Sequence, residues 1–406
     1  MSVATRAIFT GSTPNATPRQ SSITLTSAPH GGGTAPQYPK AVHANGYTYV
    51  GYIRGDTGGL YVAQYVHATG ITTATLLDTM GGVADTHNNP AVLVRPDGRI
   101  LVAFCVHDGA NVFTRLSTSP HDITAWGAAA NVGISSTSGF TYPGLAQLTG
   151  IAGDPIYLVI RDKSASTTGR LRMVTSSDGG STWGSSTIVF APGSGLRPYW
   201  QLAHDTTSLH VMTTDRDAYG SEGSVTVGHM WFDGTTWRHS DGTTMGPPPF
   251  DLADLTTVYS GASLIIDGAV VAGLPRFTSL LDIGSSQVTG RMVRWTGSAW
   301  VSADIFTTAY HTVDRYYGYC TMNHADPSEV FGVIGATGSG KLNRWVSGDN
   351  GATWSDAIPV TIQAESEDHA PIGIVDADES LTVVWLTGSL VSSLDFDFGI
   401  MGLLRR

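Results

Sequence analysis

Short runs of alternating apolar and polar residues recur along the whole chain, broken by Asp-Gly, Asn-Gly and similar turn pairs. VHANGYTYVGYI, AVLVRPDGRILVAFCV and LAQLTGIAGDPIYLVIR show the pattern. A period of two around a glycine turn reads as an antiparallel hairpin. No stretch of about 10–12 residues holds a helical period. The predicted elements are therefore many short strands.

The hairpins repeat. A polar or aromatic residue, a proline, an apolar strand, a turn and a second apolar strand follow one another from Gln37, Asn88, Thr141, Arg197 and His369. A proline at the first residue of a strand loses no ladder bond at the rim of a sheet. Tryptophans mark the same period: Trp126, Trp183, Trp237, Trp300 and Trp354 stand 57, 54, 63 and 54 residues apart. Two of them close full S-x-D-x-G-x-T-W boxes, Ser176-Asp178-Gly180-Thr182-Trp183 and Ser347-Asp349-Gly351-Thr353-Trp354. In such a box the carboxylate caps N–H groups of its own turn, glycine takes positive φ, and tryptophan plugs the gap between sheets. We read both boxes as structural, on the outer rim.

Repeating units begin near residues 37, 87, 140, 196, 251, 307 and 367. Each is long enough for four strands, and radial repetition protects strand edges. The expected fold is all-β, a seven-bladed β-propeller, with six blades plus an irregular unit as the alternative. Residues 1–35, rich in Thr, Ser, Pro and Gly, read as an N-terminal arm or a ring-closing strand. Residues 36–406 read as one propeller domain.

Composition narrows the function. Apolar residues are 41% and charged residues 14%, enough to bury a core and too apolar for disorder. A net charge of -11 argues against a nucleic-acid partner. It does not exclude an acidic glycan, because a local arginine can dominate one cleft. No apolar run is long enough to span a bilayer. The first twenty residues lack the apolar core of a signal peptide. Either the sequence is that of a mature form, or export uses another route, or the protein rides on a larger particle; the expected setting is extracellular or virion-associated. Cys105 and Cys320 fall in different repeats and read as ordinary buried thiols. The sequence leaves the oligomeric state open.

Candidate chemistry sits at the strand ends, because a propeller channel mouth is the usual ligand site. His87 precedes the first strand of its unit and His107 ends the next, so the Asp97-Gly98 turn sends both imidazoles to one rim. Tyr142 and Arg161 occupy matching places in the following unit. Two imidazoles, a phenol and a guanidinium suit β-elimination from a uronic acid. The guanidinium pairs with the uronate and lowers the cost of removing the C5 proton. A neutral His or a tyrosinate takes that proton, and a Tyr or His returns one to the leaving oxygen. No cofactor is required. Each residue alone has a plainer reading: His87 as a cap for the Asn88-Asn89 turn, His107 as a rim residue, Tyr142 as packing, Arg161 as the partner of Asp162.

The runs DTHNNPAVLVRPDGRILVAFCVHDG, TYPGLAQL, IYLVIRD, SSDGGSTW and RPYWQLAHD resemble the BNR-repeat propellers that include ulvan lyases. The similarity is strong from Gln37 to Pro249 and weak beyond. It implies an enzyme that cuts acidic polysaccharide by β-elimination. By motif, His87 and His107 match the family's active-site histidines, Tyr142 its YP tyrosine, and Arg161 the uronate-neutralising arginine. Tyr199 matches a cleft aromatic. Asn88, Arg197 and Arg315 are further expected substrate contacts. Thr86 departs from the pattern, since relatives often carry a second acidic residue there. Some related lyases hold a structural zinc, for which His311, Cys320 and His324 offer ligand types.

Two other functions fit the fold. One is a non-catalytic glycan- or receptor-binding propeller, for instance on a phage tail. The other is a sialidase-like hydrolase, ranked last because no early Arg-Ile-Pro motif is present.

Overall fold

The computed structural model describes residues 20–30, 38–136, 138–163, 168–217, 226–261, 263–281, 286–309, 320–335, 339–361, 367–392 and 395–405. Strand β1 (Gln20–His30) is followed by an antiparallel group, β2 (Ala41–Ala44), β3 (Tyr47–Ile53), β4 (Leu60–Val66) and β5 (Ile71–Asp78). A second group holds β6 (Ala91–Val94), β7 (Ile100–Phe104), β8 (Phe113–Leu116) and β9 (Ala130–Asn131). The third holds β10 (Phe140–Gln147), β11 (Ile156–Lys163), β12 (Gly169–Ser176) and β13 (Thr187–Phe190). In the fourth, β14 (Leu196–His204), β15 (Leu209–Asp217), β16 (Thr226–Phe232) and β17 (Trp237–Arg238) are joined by β18 (Thr256–Ser260), which pairs with β16. The fifth holds β19 (Ser263–Val271), β20 (Leu274–Leu281), β21 (Gln287–Trp295) and β22 (Trp300–Ala309). The sixth holds β23 (Cys320–Met322), β24 (Glu329–Ile334), β25 (Lys341–Val346) and β26 (Ile358–Pro359). The last is β27 (Glu367–Val375), β28 (Leu381–Ser392) and β29 (Asp395–Arg405), with β1 antiparallel on β29.

The first strands of successive groups touch in sequence, β2 to β6, β10, β14, β19, β23 and β27. The circuit ends where β27 pairs with β2 in parallel, at Ala41–Ile374 and Val42–Val375. That short ladder merges the first and last groups into one eight-stranded sheet. The fold is all-β and propeller-like. Among the described residues the only helices are three single 3-10 turns, and no helix is long and apolar enough to cross a membrane.

Local chemistry explains the turns. Asn45 and Gly46, between β2 and β3, both have positive φ, as a two-residue hairpin loop of this twist requires. In the first box Asp178 Oδ1 accepts from Thr182 N at 2.8 Å and Ser181 N at 3.1 Å, and Ser176 Oγ accepts from Gly180 N at 2.8 Å. The second repeats this with Asp349 and Ser347. Thr182 and Thr353 head the contributions that draw the two carboxyls down to about 2. Neighbouring groups pack closely. A Cβ on Gly144 would lie 2.6 Å from the fully buried Trp200 ring, so β10 meets β14 only with glycine there.

Two boundaries differ from the sequence expectation. Among the described residues the first strands of the fifth and sixth groups are β19 and β23, and residue 307 lies within β22 of the fifth group rather than at the start of the sixth. Residues 252–254 form a 3-10 turn, and residues 256–260 belong to the fourth sheet, where β18 takes a free edge of β16. Cys105 and Cys320 are buried free thiols, and burial pushes both of their pKa values up.

Candidate active site

The Asp85 carboxylate organises the site. It caps a 3-10 turn, Thr86–Asn88, by accepting from His87 N at 2.9 Å. The same Oδ1 lies 2.5 Å from His87 Nδ1, and Oδ2 lies 3.0 Å from His107 Nδ1. The two imidazoles therefore face one carboxylate and stack, with ring centroids 4.1 Å apart and planes 9° apart. His107 is fixed a second way, because its N–H donates to Asn88 Oδ1 at 2.6 Å. That bond ties the chain leaving β7 to the turn that precedes β6.

Tyr142 enters from the next sheet. The pairing of β10 with β11 slips between Thr141 and Gly144, and Tyr142 in that bulge has φ of 58°. A bulge re-aims a side chain, and positive φ in a large residue is strain that the surrounding packing must hold. The Tyr142 ring comes to 5.8 Å from His87. Arg161, whose neighbour in the ladder is Thr141, lays its guanidinium 4.4 Å from the Tyr142 centroid and 5.1 Å from that of Tyr199. A cation at these distances is attracted by both ring faces. Asp162, on the opposite face of the strand, does not pair with Arg161. It accepts from Arg170 Nε at 2.7 Å and Arg172 Nε at 2.6 Å.

The cluster is largely enclosed. Arg161 is 2% exposed, Tyr142 1%, and the His87 side chain 12%, while the His107 side chain at 28% faces solvent. Burial alone would raise the Asp85 carboxyl, but hydrogen bonds from His107 and His87 outweigh it and hold the group well below the usual carboxylate range. Burial lowers the His87 imidazole, reinforced by His107 and Arg161 and opposed by Asp85. An ionised Asp85 needs donors, so both Nδ1 atoms carry hydrogen. In a neutral ring the lone pair is then on Nε2. Beside the site, Lys163 ion-pairs with Asp108, whose Oδ1 is 3.6 Å from His107 Nε2.

His87, His107, Tyr142, Arg161 and Tyr199 thus meet. Arg197 precedes Tyr199 by two residues on β14 and shares its face of the sheet. Asn88, expected to touch substrate, is 1% exposed and spends its side chain on His107 N and Val83 O. Thr86 is fully buried, and the acid of this turn is Asp85. The spacing Asp-x-His ahead of Asn-Asn was the available signal, since Asp is a strong cap. Of the zinc candidates, His324 Nε2 lies 3.0 Å from both Asp267 carboxylate oxygens, in the interior. His311 and Arg315 lie outside the described residues. Among the described residues the two groups with metal-type donor sets are Asp85–His87–His107 and His43–His67–Asp378, neither of which includes Cys320 or His324.

Comparison with known proteins gives a family and a fold. The profile of the BNR repeat-containing family matches residues 47–265, more than half of the chain. A solved ulvan lyase of polysaccharide lyase family PL25, bound to -[GlcA(1-4)Rha3S]-, is similar at 19% identity and a TM-score of 0.72, covering 95% of this chain and 96% of that one. The polysaccharide lyase Uly1 is similar at 13% identity and a TM-score of 0.62, covering 95% and 99%. No curated protein sequence matches this chain. At such identities the structural likeness is one of fold. The matched repeats, the two complete Asp boxes and the sheet order together place the chain in the BNR repeat-containing family.

Proposed function

We propose that this chain is a polysaccharide lyase that cleaves a uronic-acid-containing polysaccharide by β-elimination, on a seven-bladed propeller. The blade count rests on the seven strand groups whose first strands touch in turn. The reaction rests on one observation above all: a carboxylate-held histidine pair lies against a tyrosine whose ring carries a buried arginine.

Arg161 pairs with the substrate carboxylate and draws negative charge away from C5 as the proton leaves. His87 Nε2 takes that proton. Asp85 fixes its tautomer and stabilises the imidazolium that forms, the task of the third member of a Ser-His-Asp triad. Tyr142 gives its phenolic proton to the glycosidic oxygen at C4 as that C–O bond breaks. The C5–H electron pair becomes the C4–C5 double bond, and the chain leaves as an alcohol. His107, stacked on His87 and bound to the same carboxylate, keeps the His87 ring in plane. Tyr199 and Arg197 extend the sugar-binding face. None of these steps calls for a metal. The fold likeness to two polysaccharide lyases supports the reading.

Incubation with a panel of acidic polysaccharides tests it. A lyase produces an unsaturated uronate that absorbs in the near ultraviolet. Binding without cleavage would identify a receptor-type propeller, and new reducing ends without absorbance would identify a hydrolase.

A further inference from the structure

A second cluster of imidazole and carboxylate lies at the seam between the first and last strand groups. His43 is on β2, His67 follows β4, and Asp378 is in the turn between β27 and β28. The seam is short, since β2 and β27 share only two registered pairs.

His43 carries the argument. Its Nδ1 lies 3.1 Å from the Asp376 carbonyl, which only accepts, so Nδ1 bears the hydrogen. In the neutral ring the lone pair is on Nε2. That atom is buried, makes no hydrogen bond, and lies 3.4 Å from Asp378 Oδ2. A lone pair therefore faces a carboxylate oxygen across a gap. Two ligands held about 2.0–2.1 Å from a tetrahedral ion sit about 3.4 Å apart, the same separation. An imidazole whose other nitrogen donates to a backbone carbonyl is also the usual arrangement of a metal-bound histidine.

His67 completes the set. Its Nδ1 lies 3.9 Å from Asp378 Oδ2 and 2.7 Å from Ser380 Oγ, while its Nε2 lies 2.9 Å from Thr48 Oγ1. With a cation on Nδ1, the Nε2–H donates to Thr48. Ser380 Oγ keeps Asp378 oriented through a 2.5 Å bond to Oδ1. An open cleft lined by Tyr65, His67, Ser380, Leu404 and Arg405 gives solvent access on the His67 side of the cluster.

We infer that His43, His67 and Asp378 form a binding site for a zinc-type divalent cation that clasps the first strand group to the last. Two imidazoles and one carboxylate suit zinc over magnesium or calcium, which prefer all-oxygen shells. The clasp is independent of the proposed lyase reaction.

The test uses the full chain, stripped with chelator and titrated with ZnCl2 or MgCl2 by calorimetry and thermal melting. One zinc equivalent is expected, with the melting temperature raised by about 5 °C at a hundredfold excess over Kd and no response to magnesium. His43→Gln is expected to abolish both effects, and Asp378→Asn, at a half-exposed turn, serves if His43→Gln does not fold. The inference is overturned if wild type binds no zinc below about 100 µM, far weaker than structural zinc sites bind. It is equally overturned if binding survives in His43→Gln and Asp378→Asn but is lost in His107→Ala, since the ion would then belong to Asp85.

Discussion

His87 and His107 stack at 4.1 Å with both Nδ1 atoms directed at the single carboxylate of Asp85. One acid thus sets the tautomer and the plane of two rings that come from opposite ends of a hairpin. Asp85→Asn keeps the cap on His87 N but offers only one acceptor oxygen. The expected result is a fall in kcat of about 10²–10⁴-fold with little change in melting temperature. Steady-state kinetics beside a thermal melt checks this.

The same pair sets the acid limb of the rate profile. His87 titrates below the ordinary imidazole value of about 6.5, so the base is already in its working form at neutral pH. The acid limb of kcat/KM is expected below that value. Asp85→Asn removes the carboxylate that favours the charged ring, so the limb moves lower still. A pH profile of both proteins measures the shift.

Arg161 acts through a flat, delocalised cation between two aromatic faces. Arg161→Lys keeps the charge but loses the planar fork and the double stacking over Tyr142 and Tyr199. A loss of about 10²–10³-fold in kcat/KM is expected, with the larger part in kcat, because the carboxylate needs most help as C5 loses its proton.

Acid should also weaken the fold. His210 and His229 are buried and His204 is half-buried, and desolvation is the first cause that lowers each, His210 to about 3. A group whose folded pKa lies below its unfolded value gives stability that is complete above the unfolded pKa. That stability is lost as pH falls from about 6.5 towards the folded values. His324 has the opposite sign: Asp267 overcomes its burial and raises it, so it stabilises below the unfolded pKa. One group opposes three. The urea midpoint is expected to drop between pH 7 and pH 5, and His210→Gln, in the 3.1 Å contact with His229, to flatten the drop.

The Asp boxes should matter for stability alone. Ser176 pairs with Ile156 at the far end of β11 from Arg161, about 17 Å along the strand. Asp178→Ala removes the acceptor of Ser181 N and Thr182 N in an exposed turn. A loss of about 1–2 kcal/mol is expected in urea unfolding, with kcat unchanged.

Much of this was legible in the chain because it is local. The hairpin turns, the two boxes and the strand ends that carry His87, His107, Tyr142 and Arg161 all follow from short patterns. The role of Asp85 is not legible from the motif, which places the acid one residue later, at Thr86. Asn88 looked like a cleft residue because it lies in the motif, yet its partner, His107 N, is nineteen residues away. β18 has no marker of its own and joins the fourth sheet only because β16 offers an edge. His43, His67 and Asp378 come together through closure of the two chain ends, which no local spacing announces.

The most direct measurement is the near-ultraviolet absorbance of a uronate-containing polysaccharide incubated with wild type, His87→Ala and Tyr142→Phe. Rising absorbance with wild type and none with either folded variant is the expected result. Equal rates in all three proteins would contradict the account.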